Sequence, residues 1–230
     1  MTKPINPAHA VLAAVLQVRD GTLQALLWQR AREPFAGAWA LPGGRLRPGE
    51  DMEASIRRQL SEKVDVRELA HLEQLETLGA PERNPAEWEL ATAYLGLVPL
   101  GVDPEVPADT RWHAVTSLPE LAYDHAAIVF AARARLRAKL SYTNVGFALA
   151  PETFTISELR AIYGAALGHP VSATNLQRVL LRRGVLEQTG EQRRTGGRPA
   201  AVFRCRSHEL EVTDPSAMFG RPSLREKGEA

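Results

Sequence analysis

Asn175, Arg178 and Arg182 stand at i, i+3 and i+7 of one short segment, a spacing that places three hydrogen-bonding side chains on one face of a helix. Their chemistry suits base edges. Asparagine can read adenine and arginine guanine through paired hydrogen bonds, each good pair being worth about 1 to 3 kcal/mol of discrimination. Gln177 lies beside them. A second cationic set follows in Arg193-Arg194-Thr195-Gly196-Gly197-Arg198-Pro199. Its glycines let the backbone approach a phosphate or a narrow minor groove, and Arg193, Arg194 and Arg198 supply charge. The helix face alone also fits the solvated side of a small helical bundle. Beside such a loop, contact with double-stranded DNA is the better account.

Positioning these residues requires a particular run of elements. Ser157 to Ala166 reads as a helix opening after Thr155, with Glu158 three residues on as the partner of a capping box. His169-Pro170-Val171 breaks it. A second helix spans about Ala173 to Arg183, capped by Ser172 and ended by Gly184, with Leu176, Val179 and Leu180 as its apolar stripe. Leu186 to Gln188 and Ala201 to Arg204 are short β-type stretches on either side of the arginine-rich loop. Helix, turn, helix, then hairpin is the order of a winged helix-turn-helix. Between Arg160 and Arg206 the arginines are opposed only by Glu187 and Glu191, which again points to a polyanion.

The first 140 residues have a different grammar. Ala10 to Val18 is a continuous apolar run ending in Arg19-Asp20-Gly21, and Leu23 to Gln29 follows as the second strand of a hairpin. Ala38 to Leu41 reads as a short strand, Pro42 to Pro48 as a Gly-rich loop, and Asp51 to Lys63 as a helix with Met52, Ile56 and Leu60 on its apolar side. Strands are expected over Val66 to Leu78, Trp88 to Val98 and Trp112 to Val115, and a helix over about Ala122 to Leu140. Within this frame Gly44, Glu50, Arg58, Leu60, Glu62 and Val66 hold the register of a Nudix box, G-x5-E-x7-R-E-U-x-E-E-x-G-U, where U is a bulky aliphatic residue. Gln59, Lys63 and Asp65 stand where that pattern has Glu, Glu and Gly.

The resemblance explains why those three departures matter. A Nudix hydrolase holds divalent ions with carboxylates at i, i+3 and i+4 of this helix, beside the substrate pyrophosphate. Here a neutral amide and an ammonium replace two of the three. The resemblance thus implies a scaffold that has kept its binding cleft and lost its catalyst, with no catalytic residue, no metal and no cofactor. Arg30 and Arg32, at the end of a strand facing that cleft, could meet a pyrophosphate or fix a loop. His125 could be a cleft ligand but is read first as a cap or packing residue, and Trp39 and Trp112 as core in preference to adenine-stacking platforms.

Taken together, the two halves resemble the Nudix-related transcriptional regulators of bacterial NAD metabolism. Trp28-Gln29-Arg30-Ala31-Arg32-Glu33-Pro34-Phe35, Trp39 to Gly44, Leu121-Ala122-Tyr123-Asp124-His125, Lys139-Leu140-Ser141-Tyr142-Thr143, Phe154 to Leu159 and Gly197-Arg198-Pro199-Ala200 carry the likeness. It implies an α/β fold, an α/β/α Nudix sandwich with a C-terminal winged helix-turn-helix. The expected division is 1–141 for sensing and dimerisation, 142–213 for DNA binding, and 214–230 as a loosely ordered tail. It further implies a homodimer, a palindromic operator near NAD biosynthesis or salvage genes, repression, and ADP-ribose or a related nucleotide as effector. Effector contacts would fall on Arg30, Gly43, Gly44, Glu50, Arg58, Glu62 and Lys63. Ala173, Val179 and Gln177 depart from the basic residues expected on the reading helix, so operator sequence does not transfer. Two rival readings stand: a nucleoside-diphosphate hydrolase with an accessory winged helix, and a Nudix fold used for protein interaction alone.

Composition sets the remaining bounds. A chain of 230 residues that is 44% hydrophobic can bury real cores. Cys205 is the single cysteine, so neither an intrachain disulfide nor a cysteine-based zinc site can form. With no run of about 18 apolar residues and no signal-like N-terminus, the expectation is a soluble cytoplasmic protein without a membrane partner.

Overall fold

The computed structural model describes residues 7–194 and 199–214. β1 (Ala8–Arg19) and β2 (Thr22–Gln29) form a hairpin whose turn residues Asp20 and Gly21 both have positive φ, 49° and 72°, the conformation that a tight two-residue hairpin turn demands. β3 (Trp39–Ala40), β4 (Gly43–Arg45), α1 (Met52–Val64), β5 (His71–Leu78), β6 (Glu89–Leu97), β7 (Thr110–Ala114) and α2 (His125–Leu140) complete the first part. The strands make one mixed sheet in the order β3-β2-β1-β6-β5, with β4 paired to β1 and β7 to β2.

β1 shows why its sequence is apolar throughout. Val11, Ala13 and Val15 pack toward Ile56, Leu60 and Val64 of α1. Leu12, Ala14, Leu16 and Val18 belong to the cluster on the other face, with Ile128, Ala132 and Leu136 of α2. A strand covered on both faces has no polar side to alternate with. The result is the expected α/β/α sandwich.

Three local expectations change. The Gly-rich loop contains β4, in which Gly43 and Gly44 lie opposite Leu12 and Val11. Glycine gives no strand signal, yet it is required here, since a Cβ on Gly43 would lie 2.2 Å from the Val11 carbonyl oxygen. The strand expected from Val66 begins only at His71, because residues 65–70 first unwind the helix end. Asp65 takes the left-handed conformation (φ 52°) that ends α1, a conformation in which Asp stands in for the glycine of the Nudix pattern at modest cost. The final helix starts at His125, not Ala122: Tyr123 has φ 54°, and the Ala122 N–H donates to the Trp39 carbonyl at 2.8 Å.

The second part holds β8 (Thr153–Thr155), α3 (Ile156–Leu167), α4 (Ala173–Arg182), β9 (Leu186–Arg193) and β10 (Ala200–Cys205), with its sheet ordered β8-β10-β9. The capping box forms as read: Thr155 Oγ1 accepts from the Glu158 N–H, and the Glu158 carboxylate accepts from the Thr155 N–H at 2.7 Å. Ser172 caps α4 through the Asn175 N–H. Two strand features escape the sequence reading. β8 is three residues long, and β9 runs to Arg193 through a polar stretch without apolar alternation, as an edge strand can.

One apolar cluster crosses the expected boundary at residue 141. Leu140, Val145 and Leu149 join Phe154, Leu159, Ile162 and Tyr163 with the sheet face under α2. Gly146 is needed at this joint, since a Cβ there would lie 2.5 Å from the Tyr163 ring. The chain after β10 returns to the same place, where Asn144 Nδ2 donates to the Glu209 carbonyl and Asn144 Oδ1 accepts from the Glu211 N–H. The tail beyond Asp214 lies outside the described residues.

Candidate binding cleft and nucleic-acid face

A cleft of about 670 Å³ opens where the ends of β2 and β4 meet α1, the 83–89 segment and the start of α2. Its aromatic floor is made by Trp28 and Tyr123, each with a cation over its ring: Lys63 Nζ lies 4.9 Å from the Trp28 centroid and the Arg30 guanidinium 4.8 Å from that of Tyr123. Such contacts lower the cost of holding a cation away from bulk water. Arg30 Nε also donates to the Pro34 carbonyl at 2.9 Å, so it fixes the 30–34 loop while facing the cleft. Lys63 Nζ donates to the Gly43 carbonyl at 2.5 Å. Burial, then the Arg58 and Arg30 charges, push its ammonium pKa below the ordinary value.

Of the residues expected at the effector, Arg30, Gly43, Gly44 and Lys63 line this cleft. Glu50, Arg58 and Glu62 do not. Arg58 grips Glu50 with two hydrogen bonds of 2.6 and 2.8 Å, and this pairing holds the Glu50 carboxyl down to about 2. The Arg47 N–H also donates to Glu50, so the pair braces the loop that leads into α1. Glu62 is exposed and pairs with Arg47 and Arg58.

Residues outside the Nudix pattern complete the walls. Arg83, with only 4% of its side chain exposed, makes a bidentate pair with Asp124 at 2.7 and 3.0 Å. Glu89 lies 3.6 Å from Arg83, and Arg45 pairs with Glu87. His125 is buried, and its Nδ1 accepts from the Leu41 N–H at 3.0 Å. That bond and full burial, which pushes its pKa down to about 3, keep the ring neutral and make it the packing residue anticipated. The motif Tyr123-Asp124-His125 was visible as a sequence, but the role of each member depends on Leu41, Arg83 and Arg30 reaching it from elsewhere.

The Nudix fold implies a divalent ion at α1, and the donor set does not fit one. Gln59 is buried beneath Gly44, its Nε2 donating to the Arg45 carbonyl and its Oε1 without a hydrogen-bond partner. Lys63 brings an ammonium to the cleft, and Glu62, committed to two arginines, is the one carboxylate of the three. Among the described residues no three acidic, histidine or cysteine side chains come together as a metal site.

The second face lies on α4. Leu176 and Leu180 are buried, while Asn175, Arg178 and Arg182 are exposed and Gln177 is half-buried. Arg178 donates to Asn175 Oδ1 at 2.7 Å, which aligns the two side chains. Arg194 is exposed at the end of β9. Arg193 is differently placed: it pairs with the Glu158 carboxylate at 2.9 Å and with Thr153 Oγ1 at 3.0 Å, tying the wing to the cap of α3. Arg198 and the loop tip 195–198 lie outside the described residues.

Comparison with known proteins adds independent findings. The NUDIX domain family matches residues 8–132, and the family described as the NrtR DNA-binding winged helix domain matches residues 146–205. An ADPR responsive transcriptional repressor NtrR of Acinetobacter baylyi is 31% identical over 217 residues, spanning 91% of this chain and 86% of that protein. The crystal structure of Shewanella oneidensis NrtR complexed with a 27mer DNA superposes with a TM-score of 0.75 at 31% identity, covering 85% of this chain and 92% of that one. The NUDIX domain of the same Shewanella protein, cocrystallised with ADP ribose, gives a TM-score of 0.51 at 32% identity over 57% of this chain and 90% of that one.

Proposed function

This chain belongs to the family that joins a Nudix domain to an NrtR DNA-binding winged helix, and we propose from that premise that it is a transcriptional repressor whose Nudix cleft binds ADP-ribose or a related nucleotide and thereby releases DNA. The observation that carries the reading is the presence, on one continuous core, of a cationic cleft with an aromatic floor and an exposed Asn175-Arg178-Arg182 face. The cleft suits a pyrophosphate joined to flat, hydroxyl-bearing groups. The face suits a major groove.

α2 is the element that couples them. His125, its first residue, and Tyr123, two residues before it, line the cleft, and its body shares a core with Leu159 and Ile162 of α3. A ligand pressing on Tyr123 and Arg30 acts on the helix that supports the DNA reader. In a homodimer on a palindromic operator, half-sites one helical turn apart tolerate little change in reader spacing, so a small shift of α2 is enough to lower affinity. The direct DNA contacts in this reading are Asn175, Gln177, Arg178, Arg182 and Arg194, with Arg193 holding the wing. The regulated genes are those of NAD biosynthesis or salvage.

The sensor binds without hydrolysing, because only Glu62 remains of the three positions that would carry metal-binding carboxylates and it is turned toward Arg47 and Arg58. An electrophoretic mobility shift on the DNA upstream of this protein's own gene and of NAD genes, with and without ADP-ribose, tests the reading. A specific complex that ADP-ribose dissolves is expected. A complex indifferent to ADP-ribose, or none at all, sinks it.

A further inference from the structure

Lys63 occupies a surprising place for a cation. Its ammonium is half-buried in the cleft, has Trp28 on one side and the Gly43 carbonyl on another, and lies within the field of Arg30, Arg32 and Arg58. Among the described residues no carboxylate comes within ion-pairing distance of it; Glu62, its chain neighbour, turns to Arg47 and Arg58 instead. A cation in a partly dry site without an ion-pairing carboxylate of its own is costly unless an anion joins it. An ammonium has three N–H donors, and the carbonyl of Gly43 takes one.

From this arrangement we infer that Lys63 is a built-in replacement for the divalent cation of the Nudix fold: it neutralises the effector's pyrophosphate directly, so that binding needs no metal. The inference rests on the proposed ADP-ribose reading and goes beyond it by assigning the charge that meets the phosphates. Gln59 fits the same account. With no charge to be satisfied by an ion, its amide packs under Gly44 and donates to the Arg45 carbonyl, leaving the ammonium as the only group that α1 sends into the cleft. Arg30, over the Tyr123 ring, adds a second cation to the same cleft. A divalent ion placed beside Lys63 meets repulsion in place of attraction.

Titration calorimetry of the full chain with ADP-ribose, in EDTA and in Mg2+ or Mn2+, decides the matter. The same affinity in all three is expected. Lys63→Met should weaken binding about ten- to a hundredfold, the loss of a charge-assisted hydrogen bond to phosphate. Gln59→Glu combined with Lys63→Glu rebuilds the three-carboxylate face, so its ADP-ribose binding should vanish in EDTA and return with metal. Mn2+ alone, followed by electron paramagnetic resonance, should then bind the double variant and not the wild type. Wild-type binding that disappears on chelation overturns the inference while leaving the effector reading intact, as does undiminished binding by a folded Lys63→Met. No ADP-ribose binding with or without metal removes the effector reading, and the inference with it.

Discussion

Lys63 in the cleft and Arg178 on α4 carry the same charge in opposite surroundings. Lys63 is half-buried against an aromatic ring and held to a backbone carbonyl, with like charges around it. Arg178 is exposed and touches only its helix neighbour Asn175 among the hydrogen bonds of the described residues. Exposed cations cost almost nothing, so Arg178 means little by itself and acquires meaning from its spacing to Asn175 and Arg182. A buried cation without a counter-ion is costly and therefore means something alone. In this molecule the cleft is legible from environment and the reading helix from pattern.

Cleft and reader share one apolar core and should unfold as one cooperative body, and Phe154 tests that most severely. Its ring is 1% exposed and stacks on Phe147 at the joint. Phe154→Ala should cost about 3 to 5 kcal/mol, measured by urea unfolding, in a single transition seen alike by probes in both halves. Two separate transitions in the wild type would show that cleft and reader fold independently.

Within the cleft, environment sets His125. Its folded pKa of about 3 lies below the ordinary 6.5, so the unfolded chain takes up a proton that the folded chain refuses. The stability that this contributes is complete above pH 6.5 and is lost as pH falls toward 3. Between pH 7 and 5 the loss should be about 2 kcal/mol. His125→Asn, whose amide oxygen can accept from the Leu41 N–H, should lower stability at pH 7 and remove that share of the pH slope. Glu50, held down to about 2 by Arg58, and Glu73 of β5, brought to about 2 against its own burial by hydrogen bonds from His71 and from Lys139 of α2, add to acid sensitivity only below about pH 4.5. A slope unchanged by the variant would show that His125 is protonated in the fold.

On the reader, pattern should decide. Arg178→Ala and Asn175→Ala should each weaken operator binding by roughly 1 to 3 kcal/mol and relax sequence preference. Equal losses on operator and random DNA would mean that α4 does not read bases. The smallest expected effect belongs to Arg194→Ala, which should weaken binding to all sequences alike and reduce the salt slope by about one. Arg193→Ala, by contrast, should lower stability by loosening Glu158 and the α3 cap, visible in unfolding without any DNA.

Much of this architecture was legible in the chain because it is encoded locally. The apolar run of β1, the Asp20-Gly21 turn, the Ser172 cap, the Thr155-Glu158 box and the stripe of α4 each rest on residues within a turn or two of one another, where propensity and periodicity act directly. The loss of carboxylates at Gln59 and Lys63 was equally plain, and so were the types of side chain on α4. Tertiary structure alone decided where charges spend themselves. Arg193 finds Glu158 across 35 residues and Arg83 finds Asp124 across 41; Arg58 draws Glu50 and Glu62 out of the cleft, and Lys63 turns into it. β4 and β8 exist only because β1 and β10 offer them hydrogen bonds. Charge pairing and sheet edges depend on distance in space, which neighbouring residues do not specify until the apolar core has brought remote segments together.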